Sequence, residues 1–302
     1  MWVLLAVIAG CVQTVRNALS RSLTGKISPT LNSWARFSFN LPFATALVLI
    51  LVALNGAPTL TWRFYLFCTG TAIAQLLANV ALIKAFERAN FAQSIVLHKL
   101  EVVFTAIIGM WLFAETPSPL GWAGVVVCTL GMLLINLGRE RGPEGWRRAV
   151  HIDAGAFFAL ACALGLVFAG FFLKSGVGHF VLANPRVGMG RFEAAGHTLF
   201  HTTWIEVVLL SIALVLRQPQ EFRLVPEHWR RMIPLGMSAF AGSVCWFWAY
   251  SLTLVAYVKA VGQIEVVFAI VLAIRVWREK EIWQQLPGVA LVTLGIALVV
   301  LG

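Results

Sequence analysis

The sequence predicts an all-α, polytopic membrane protein with ten transmembrane helices arranged as two inverted five-helix repeats. Of the 302 residues, 60% are hydrophobic and only 12% are charged, about half the charged share of a soluble domain. Apolar stretches long enough to cross a hydrocarbon core of about 30 Å as a helix recur from end to end. The tetrapeptide Glu-Val-Val-Phe occurs twice, at 101–104 and 265–268, each time inside such a stretch.

The apolar stretches define ten predicted spans. The first has neither a basic segment before it nor a small-residue cleavage site after it, so it is interpreted as a helix and not as a signal peptide. The longest connections are "GRERGPEGWRR" near 138–148 and "SGVGHFVLANPRVGMGR" at 175–191. The second of these is predicted to be a structured turn or an extramembrane loop. In chain order the spans cover residues 2–20, 31–54, 63–84, 91–113, 118–138, 152–174, 193–216, 230–252, 255–275 and 283–302.

A shift of 164 residues aligns the fourth and fifth spans with the ninth and tenth. Because five helices per copy is an odd number, the two copies cross the membrane in opposite orientations, an architecture that is typical of secondary transporters. The predicted repeats are 1–138 and 152–302, joined by a linker at 139–151. The aligned pairs are Glu101/Glu265, Phe104/Phe268, Glu115/Glu279, Gly124/Gly288 and Gly131/Gly295.

Charge in the loops predicts the orientation. With ten spans, most loop arginines and lysines fall on one face, whereas the other face holds only Arg63, Lys174, Arg186 and Arg191. Because basic loops stay in the cytoplasm, both termini are predicted to lie outside it. The net charge of +10 is explained in this way, without a nucleic-acid partner.

The pattern resembles the drug/metabolite transporter superfamily, specifically its ten-helix EamA-like transporters. The resemblance is carried by the two five-helix halves, the acidic "FAE" at 113–115 and "WRE" at 277–279, and the helices "GWAGVVVCTLGMLLI" and "LPGVALVTLGIALVV". It covers essentially the whole chain. It implies a transporter of the bacterial inner membrane and not an enzyme. It also implies cytoplasmic termini, which the loop charges contradict.

Polar residues inside spans one to three form the first candidate site. An ionisable residue within a span is costly, so it usually faces the bundle interior or water. Each polar face therefore lines a wet cavity or holds helices together by hydrogen bonds. The faces are Gln13, Arg16, Asn17 and Ser20 in span one, Trp34, Arg36 and Asn40 in span two, and Thr71, Gln75 and Asn79 in span three.

Spans four and nine carry charges on both faces. On a continuous helix His98 and Glu101 share a face, and Lys99 lies about 200° away from Glu101. Span nine mirrors this arrangement, with Gly262 and Glu265 on one face and Lys259 and Gln263 on the other. Either the glutamates or the lysine/glutamine face lines the cavity. The glutamates are expected to pair with Arg16 or Arg36, because a buried carboxylate without a partner takes up a proton.

Spans seven and eight add three features. Glu193, His197 and His201 form one stripe that senses pH, lines a ligand or packs; the zinc-protease pattern HExxH is missing, and a metal site is not predicted. Glu206 is a candidate proton carrier. Trp246 and Tyr250 form an aromatic wall or simply pack. The glycines of spans five and ten, and the five single cysteines, are interpreted as packing residues.

Together these features predict a secondary active or facilitative exporter of small polar metabolites, such as amino acids or organic acids, that works by alternating access. No Walker motif, catalytic set, metal or cofactor is predicted. The predicted partners are the substrate, a proton and membrane lipid, and the ten helices can be complete as a monomer. Alternatives are a flippase for lipids or lipid-linked sugars on the same fold, a membrane-embedded enzyme and a scaffold. The predicted substrate-binding residues are Lys99, Gln263, Lys259, His98, Arg16, Asn17, Arg36, Gln75, Asn79, Trp246 and Tyr250, and the coupling or structural carboxylates are Glu101, Glu265 and Glu206.

Overall fold

The chain folds into helices. The computed structural model describes residues 1–23, 25–88, 97–137, 154–185, 190–268, 270 and 285–302, and these residues form no β-strand. The predicted all-α, polytopic class is confirmed. The predicted linker at 139–151 and the second acidic motif residue, Glu279, lie outside the described residues.

The helices follow the predicted spans, with the second span divided into two helices and the fourth and ninth spans interrupted by turns at Leu100 and Gln263. Residues 97–99 and 264–268 are also helical. The helices are α1 (Trp2–Leu23), α2 (Pro29–Ser38), α3 (Leu41–Asn55), α4 (Trp62–Arg88), α5 (Glu101–Leu112), α6 (Pro119–Leu137), α7 (Ala154–Ala183), α8 (Arg191–Arg217), a 3₁₀ helix (Pro219–Leu224), α9 (Val225–Leu252), α10 (Val255–Gly262) and α11 (Leu286–Leu301).

Length and composition allow many of these elements to cross a membrane. In the described part of the chain, six stretches are long and apolar enough, and 119–135 and 286–301 are shorter apolar helices. Large apolar side chains point outward, for example Leu49 at 64% exposure and Trp111 at 78%. Such exposure is expected where lipid and not water surrounds the helices. The six stretches are Trp2–Leu23, Pro29–Asn55, Trp62–Ala85, Gly155–Ala183, Arg191–Arg217 and Pro219–Leu252.

The predicted loop at 175–191 is wrong in its first half, because α7 continues to Ala183. The glycines there suggested a turn, but Val177 and Phe180 are buried in the core. A Cβ atom added at Gly176 would lie 3.4 Å from Cβ of Phe67 and 3.5 Å from the methyl carbon of Thr198, which is ordinary van der Waals contact. Burial of this apolar face therefore outweighs the low helix propensity of glycine.

The described residues form two compact units. Unit 1 comprises Met1–Ala72 and Phe172–Leu252, and unit 2 comprises Ile73–Phe171 and Thr253–Gly302. Each unit contains segments from both halves of the sequence. The predicted repeats at 1–138 and 152–302 stay a prediction, because a repeat relates segments by sequence, whereas a unit groups the segments that pack together.

Unit 1 is built around a break in the second span. Pro42, in the first turn of α3, has no N–H, so the carbonyl of Ser38 loses its usual helical donor. Helix α9 crosses this break at Gly236, where any Cβ would collide with the backbone of Phe39. Helix α8 packs against α2, α3 and α9, and α1 packs along α9. The break is thus held in place by close packing.

Unit 2 is built around the close pair α6 and α11. A Cβ at Gly124 would lie 2.7 Å from the carbonyl oxygen of Gly295, and one at Gly288 would lie 2.8 Å from that of Gly131. The two backbones therefore touch, as the paired small residues predict. The packing role predicted for these glycines is confirmed.

The connection between α5 and α6 is attached to the start of α10. A carboxylate oxygen of Glu115 accepts a hydrogen bond from the Val255 N–H at 2.8 Å. The N–H of Ser118 donates to the Tyr257 hydroxyl at 2.9 Å, and Gly121 leaves room for that hydroxyl. The acidic motif residue Glu115 therefore caps a helix from the other half of the sequence.

Candidate functional site

The backbone forms a tight turn next to each of the repeated glutamates, Glu101 and Glu265. The N–H of Leu100 donates to the carbonyl of Leu97 at 3.3 Å, and the N–H of Gln263 donates to that of Ala260 at 3.2 Å. These are i to i+3 bonds, the pattern of a 3₁₀ turn inside a helix, which often marks a functional hinge. Helix α5 begins at Glu101 and α10 ends at Gly262, so each turn sits at a helix boundary.

The first lysine of the site pairs across the two spans. Nζ of Lys99 lies 2.9 Å from Oε1 of Glu265, and the two side chains are 12% and 15% exposed. This geometry is that of a charge-assisted hydrogen bond. A short bond in an apolar region is only weakly screened, so the two charges are strongly coupled.

The second lysine pairs in the opposite direction. Nζ of Lys259 lies 3.7 Å from Oε2 of Glu101, and it donates a 3.0 Å hydrogen bond to the carbonyl oxygen of Leu166 on α7. Lys259 is only 5% exposed. We refer to Lys99–Glu265 and Lys259–Glu101 as the crossed ion pairs. Each pair joins one basic and one acidic side chain, and all four side chains are at most 15% exposed.

Polar neighbours surround the crossed ion pairs. His98 Nδ1 lies 3.5 Å from Sγ of Cys162. Gln263 donates from Nε2 to the Lys259 carbonyl at 3.2 Å, while its buried Oε1 has no hydrogen-bond partner. Cys162 was interpreted only as a packing residue; its contact with His98 had no sequence signal, because a lone cysteine in a span looks like any small apolar residue.

The glutamates pair with the two lysines of the same spans. Glu265 lies against Lys99 and Glu101 against Lys259, and a pairing of the glutamates with Arg16 or Arg36 stays a prediction. Both kinds of side chain meet across the same two spans, so the glutamates and the lysines are not separated onto opposite faces here. The tightened turn at Leu100 and the long lysine stems explain why neighbours in sequence reach the same partner helix.

The predicted residues of span one and span eight meet in unit 1. Trp246 donates from Nε1 to Oε1 of Gln13 at 3.2 Å. Its ring stacks on Tyr250, with centroids 5.7 Å apart and planes 20° apart. Arg16 donates to Oδ1 of Asn17 at a long 3.5 Å, and Asn17 is exposed. Of the third-span residues, Gln75 and Asn79 are half-buried on α4 in unit 2.

Glu206 and Arg36 stand on helices of unit 1 that pack against each other, α8 and α2. Glu206 is 2% exposed. Oε1 of Glu206 and Nε of Arg36 are both buried without a hydrogen-bond partner. Asn40, at 1% exposure, likewise leaves its Oδ1 unpaired.

The acidic end of α8 forms a further polar group. Glu193 accepts from Nδ2 of Asn55 at 3.0 Å, and its other oxygen lies 4.0 Å from Nε2 of His197. The His197 ring stacks on Phe180 at 4.9 Å, and His201 follows one turn later. Within the described ranges, no three histidine, cysteine or acidic side chains come close enough to hold a metal. Asn55 was not predicted, because a polar residue at a helix end is common.

The chain is similar to a family of transporters and to a solved structure. The model of the EamA-like transporter family matches residues 1–137 and 186–301. Among the solved structures that match, a chain described as "Crystal structure of protein" has a TM-score of 0.73 at 16% sequence identity. The match covers 99% of this chain and 98% of that one, and at this identity it shows the fold alone. A search of curated proteins finds no match.

Proposed function

The chain belongs to the EamA-like transporter family, and we propose that it exports small polar metabolites, such as amino acids or organic acids, from a bacterial cell. Membership of the family makes it a multi-pass membrane transporter of small molecules and not an enzyme. The proposal adds the substrate class, the direction, the inner membrane and the mechanism.

The crossed ion pairs carry the proposal. Four charged side chains within apolar helices are expensive unless they pair, and such residues mark substrate pathways. Lys99 and Lys259 offer donors for a carboxylate, and Glu101 and Glu265 offer acceptors for an ammonium group. The 3.7 Å contact between Lys259 and Glu101 is too long for a hydrogen bond, which favours a change of partner at this pair.

The sequence repeat supports alternating access between residues 1–138 and 152–302. The 164-residue shift that aligns the glutamates places the tightened turns at Leu100 and Gln263 within one residue of each other. Equivalent hinges in the two copies are what a rocking mechanism of inverted repeats requires. Transport is driven by a proton gradient or by the substrate gradient, and the loop charges favour both termini outside the cytoplasm.

The test combines binding and transport. Purified protein is screened by thermal shift against amino acids, organic acids, nucleotides and amines, and each hit is measured as counterflow in proteoliposomes. The double variant Lys99→Gln/Glu265→Gln removes one ion pair without leaving a lone charge, and it should fold but lose at least tenfold in substrate affinity. Arg63→Gln, at an exposed arginine in the first turn of α4, is the matched control.

Other results overturn the proposal in distinct ways. If the double variant binds and transports like the wild type, the crossed ion pairs are structural. If fluorescent lipids cross the vesicle membrane and no soluble metabolite does, the protein is a flippase on the same fold.

A further inference from the structure

One end of unit 1 carries six exposed basic side chains. They come from the last turns of α1 and α8, from the connections that follow these helices, and from the first two turns of α9. A charged patch of one sign attracts molecules of the opposite charge. We call this group the basic rim, and it consists of Arg21, Lys26, Arg217, Arg223, Arg230 and Arg231.

Hydrogen bonds hold the parts of the basic rim together. The Ser20 hydroxyl donates to Oδ1 of Asn32 at 3.2 Å, and Nδ2 of Asn32 donates to the Ser20 carbonyl at 3.1 Å. These two bonds fix the end of α1 to the start of α2. The Ser28 N–H donates to Oε2 of Glu221 at 3.1 Å, which fixes the α1–α2 connection to the 3₁₀ helix. Segments that are 193 residues apart in sequence therefore meet at one end of the unit.

A buried apolar cluster lies under the basic rim. Leu23, Leu214 and Met232 have no exposed surface, and they come from α1, α8 and α9. Phe222 of the 3₁₀ helix packs against the same cluster. The basic side chains are therefore attached to a packed base, which keeps them close to one another.

Few acidic side chains accompany the basic rim. Residues 17–35 contain none, and residues 209–234 contain two, Glu221 and Glu227. Glu221 already accepts the Ser28 N–H. In the part of the chain that the structure describes, no acidic side chain forms an ion pair with a residue of the basic rim. Positive charge is therefore left for an anion from outside the chain.

The surface next to the basic rim is apolar and exposed. Val215 and Leu216, directly before Arg217 on α8, are both exposed. Trp229 is exposed as well, and the guanidinium carbon of Arg230 lies 5.7 Å from the centroid of its ring. Tryptophan is enriched where the hydrocarbon of a membrane meets the headgroups. The basic rim therefore adjoins a lipid-facing surface at the level of the headgroups.

An anionic phospholipid is the ligand that fits both features. Its phosphate accepts charge-assisted hydrogen bonds, which a guanidinium group can donate in pairs. Its acyl chains cover exposed apolar side chains, which a soluble anion would leave uncovered. A zwitterionic lipid would bring its own cation close to the arginines. Clusters of about four to eight basic residues beside a membrane span are typical of binding to anionic headgroups.

We propose that the basic rim binds anionic phospholipids of the leaflet that meets this end of unit 1. Its arginines and Lys26 hold the phosphates, and the acyl chains lie along Val215 and Leu216. Because the ligand binds the folded arrangement of four helices and not the unfolded chain, it should stabilise the protein. The site does not depend on which substrate is transported.

The test measures lipid binding to the whole purified protein after its native lipids are removed. Phosphatidylglycerol or phosphatidylcholine is added in mixed micelles, and native mass spectrometry counts the bound lipid. The wild type should bind phosphatidylglycerol about tenfold more tightly or better, and its melting temperature should rise with this lipid. Added salt should weaken the preference, because it screens exposed charges.

Three variants separate charge from shape. Arg223→Gln/Arg230→Gln/Arg231→Gln should lose about tenfold or more in affinity for phosphatidylglycerol. The lysine variant at the same three positions keeps the charge and should stay within about threefold of the wild type. Arg63→Gln, at an exposed arginine in the first turn of α4, is the matched control and should bind like the wild type. Circular dichroism without added lipid checks that each variant is folded.

A second measurement needs no variant. Phosphatidylglycerol with a photoactivatable acyl chain is cross-linked to the wild type, and mass spectrometry locates the adduct. We expect the adduct at Val215, Leu216 or Trp229, and an excess of inorganic phosphate should not prevent it.

Three results would overturn the site. Phosphatidylcholine could label the same residues equally, or the glutamine variant could bind phosphatidylglycerol like the wild type. Inorganic phosphate alone could raise the melting temperature as much as the lipid does, which would assign the basic rim to a free anion. A protein that binds the lipid in this way but exports no metabolite keeps the site and rejects only the proposed function.

Discussion

Buried charges are treated differently in the two units of the protein. In unit 2, Lys99 and Lys259 each lie within 4.0 Å of a glutamate from the partner span. In unit 1, Oε1 of Glu206 and Nε of Arg36 are buried without a hydrogen-bond partner. In unit 2 the buried Oε2 of Glu101 also makes no hydrogen bond, but Lys259 lies 3.7 Å from it. Because each glutamate of unit 2 has a lysine close by, loss of one charge there should cost more than loss of a neutral hydrogen bond in unit 1.

The largest effect should follow from breaking one crossed ion pair on one side only. Lys259→Met leaves Glu101 without its cation, and loss of one partner of a buried pair costs about 3–5 kcal/mol. We expect the free energy of unfolding in detergent, followed by circular dichroism, to fall by this amount. The double variant Lys259→Met/Glu101→Leu should recover most of the loss. A single variant as stable as the wild type would show that this pair is solvated.

A smaller loss should follow from widening the α6–α11 contact. At Gly295 an added Cβ meets backbone atoms of Cys128, which cannot rotate away. We expect Gly295→Ala to lower the free energy of unfolding by about 1–3 kcal/mol, as for an overpacked core. Gly178→Ala is the matched control, because nothing lies within 4 Å of its Cβ position and alanine favours the helix. Equal melting temperatures for the two variants would contradict the close contact.

In unit 1 the neutral hydrogen bonds should matter less than the charges of unit 2. Trp246→Phe removes the indole N–H that reaches Gln13 and keeps a ring against Tyr250. The expected loss is about 0.5–1.5 kcal/mol, the usual net contribution of one hydrogen bond. Trp248→Phe, whose ring lies against Phe192, provides the comparison for lost ring area. A loss as large as that of Lys259→Met would remove the contrast between the units.

The smallest effect is expected at Glu206. Glu206→Gln keeps the size of the side chain, and Oε1 of Glu206 makes no hydrogen bond that would be lost. The free energy of unfolding at neutral pH should then change by less than about 0.5 kcal/mol. A loss of several kcal/mol would mean that the carboxyl group of Glu206 makes a contact that the glutamine amide cannot replace.

The all-α, polytopic class was predictable because the length of the apolar stretches can be read from the sequence. The bounds of α1, α6 and α8 follow the predicted spans within a few residues. The continuation of α7 to Ala183 was not predictable, since glycine content at 176 and 178 suggests a turn unless the burial of Phe180 is known.

The candidate site was predicted in its members but not in its pairing. Lys99, Lys259, Glu101 and Glu265 were all identified from charge within apolar spans. Their partners could not be deduced, because face analysis assumes 100° per residue and the 3₁₀ turns at Leu100 and Gln263 break that assumption. The unpaired Oε1 of Glu206 could not be predicted either, because a sequence does not show which hydrogen bonds a buried side chain makes.

The backbone contact between α6 and α11 has a consequence for movement. Helices that are separated by side chains can shift when those side chains change rotamer. The backbones of α6 and α11 touch directly, so no side-chain rotamer change can accommodate a shift there. The contacts lie at Gly124, Gly131, Gly288 and Gly295. A slip by one residue would drive Val292 or Ile135 into the opposing backbone. We therefore expect α6 and α11 to behave as a single rigid strut during turnover. The bending that transport demands must then be concentrated elsewhere in unit 2, and the short turns at Leu100 and Gln263 are the joints best suited to it.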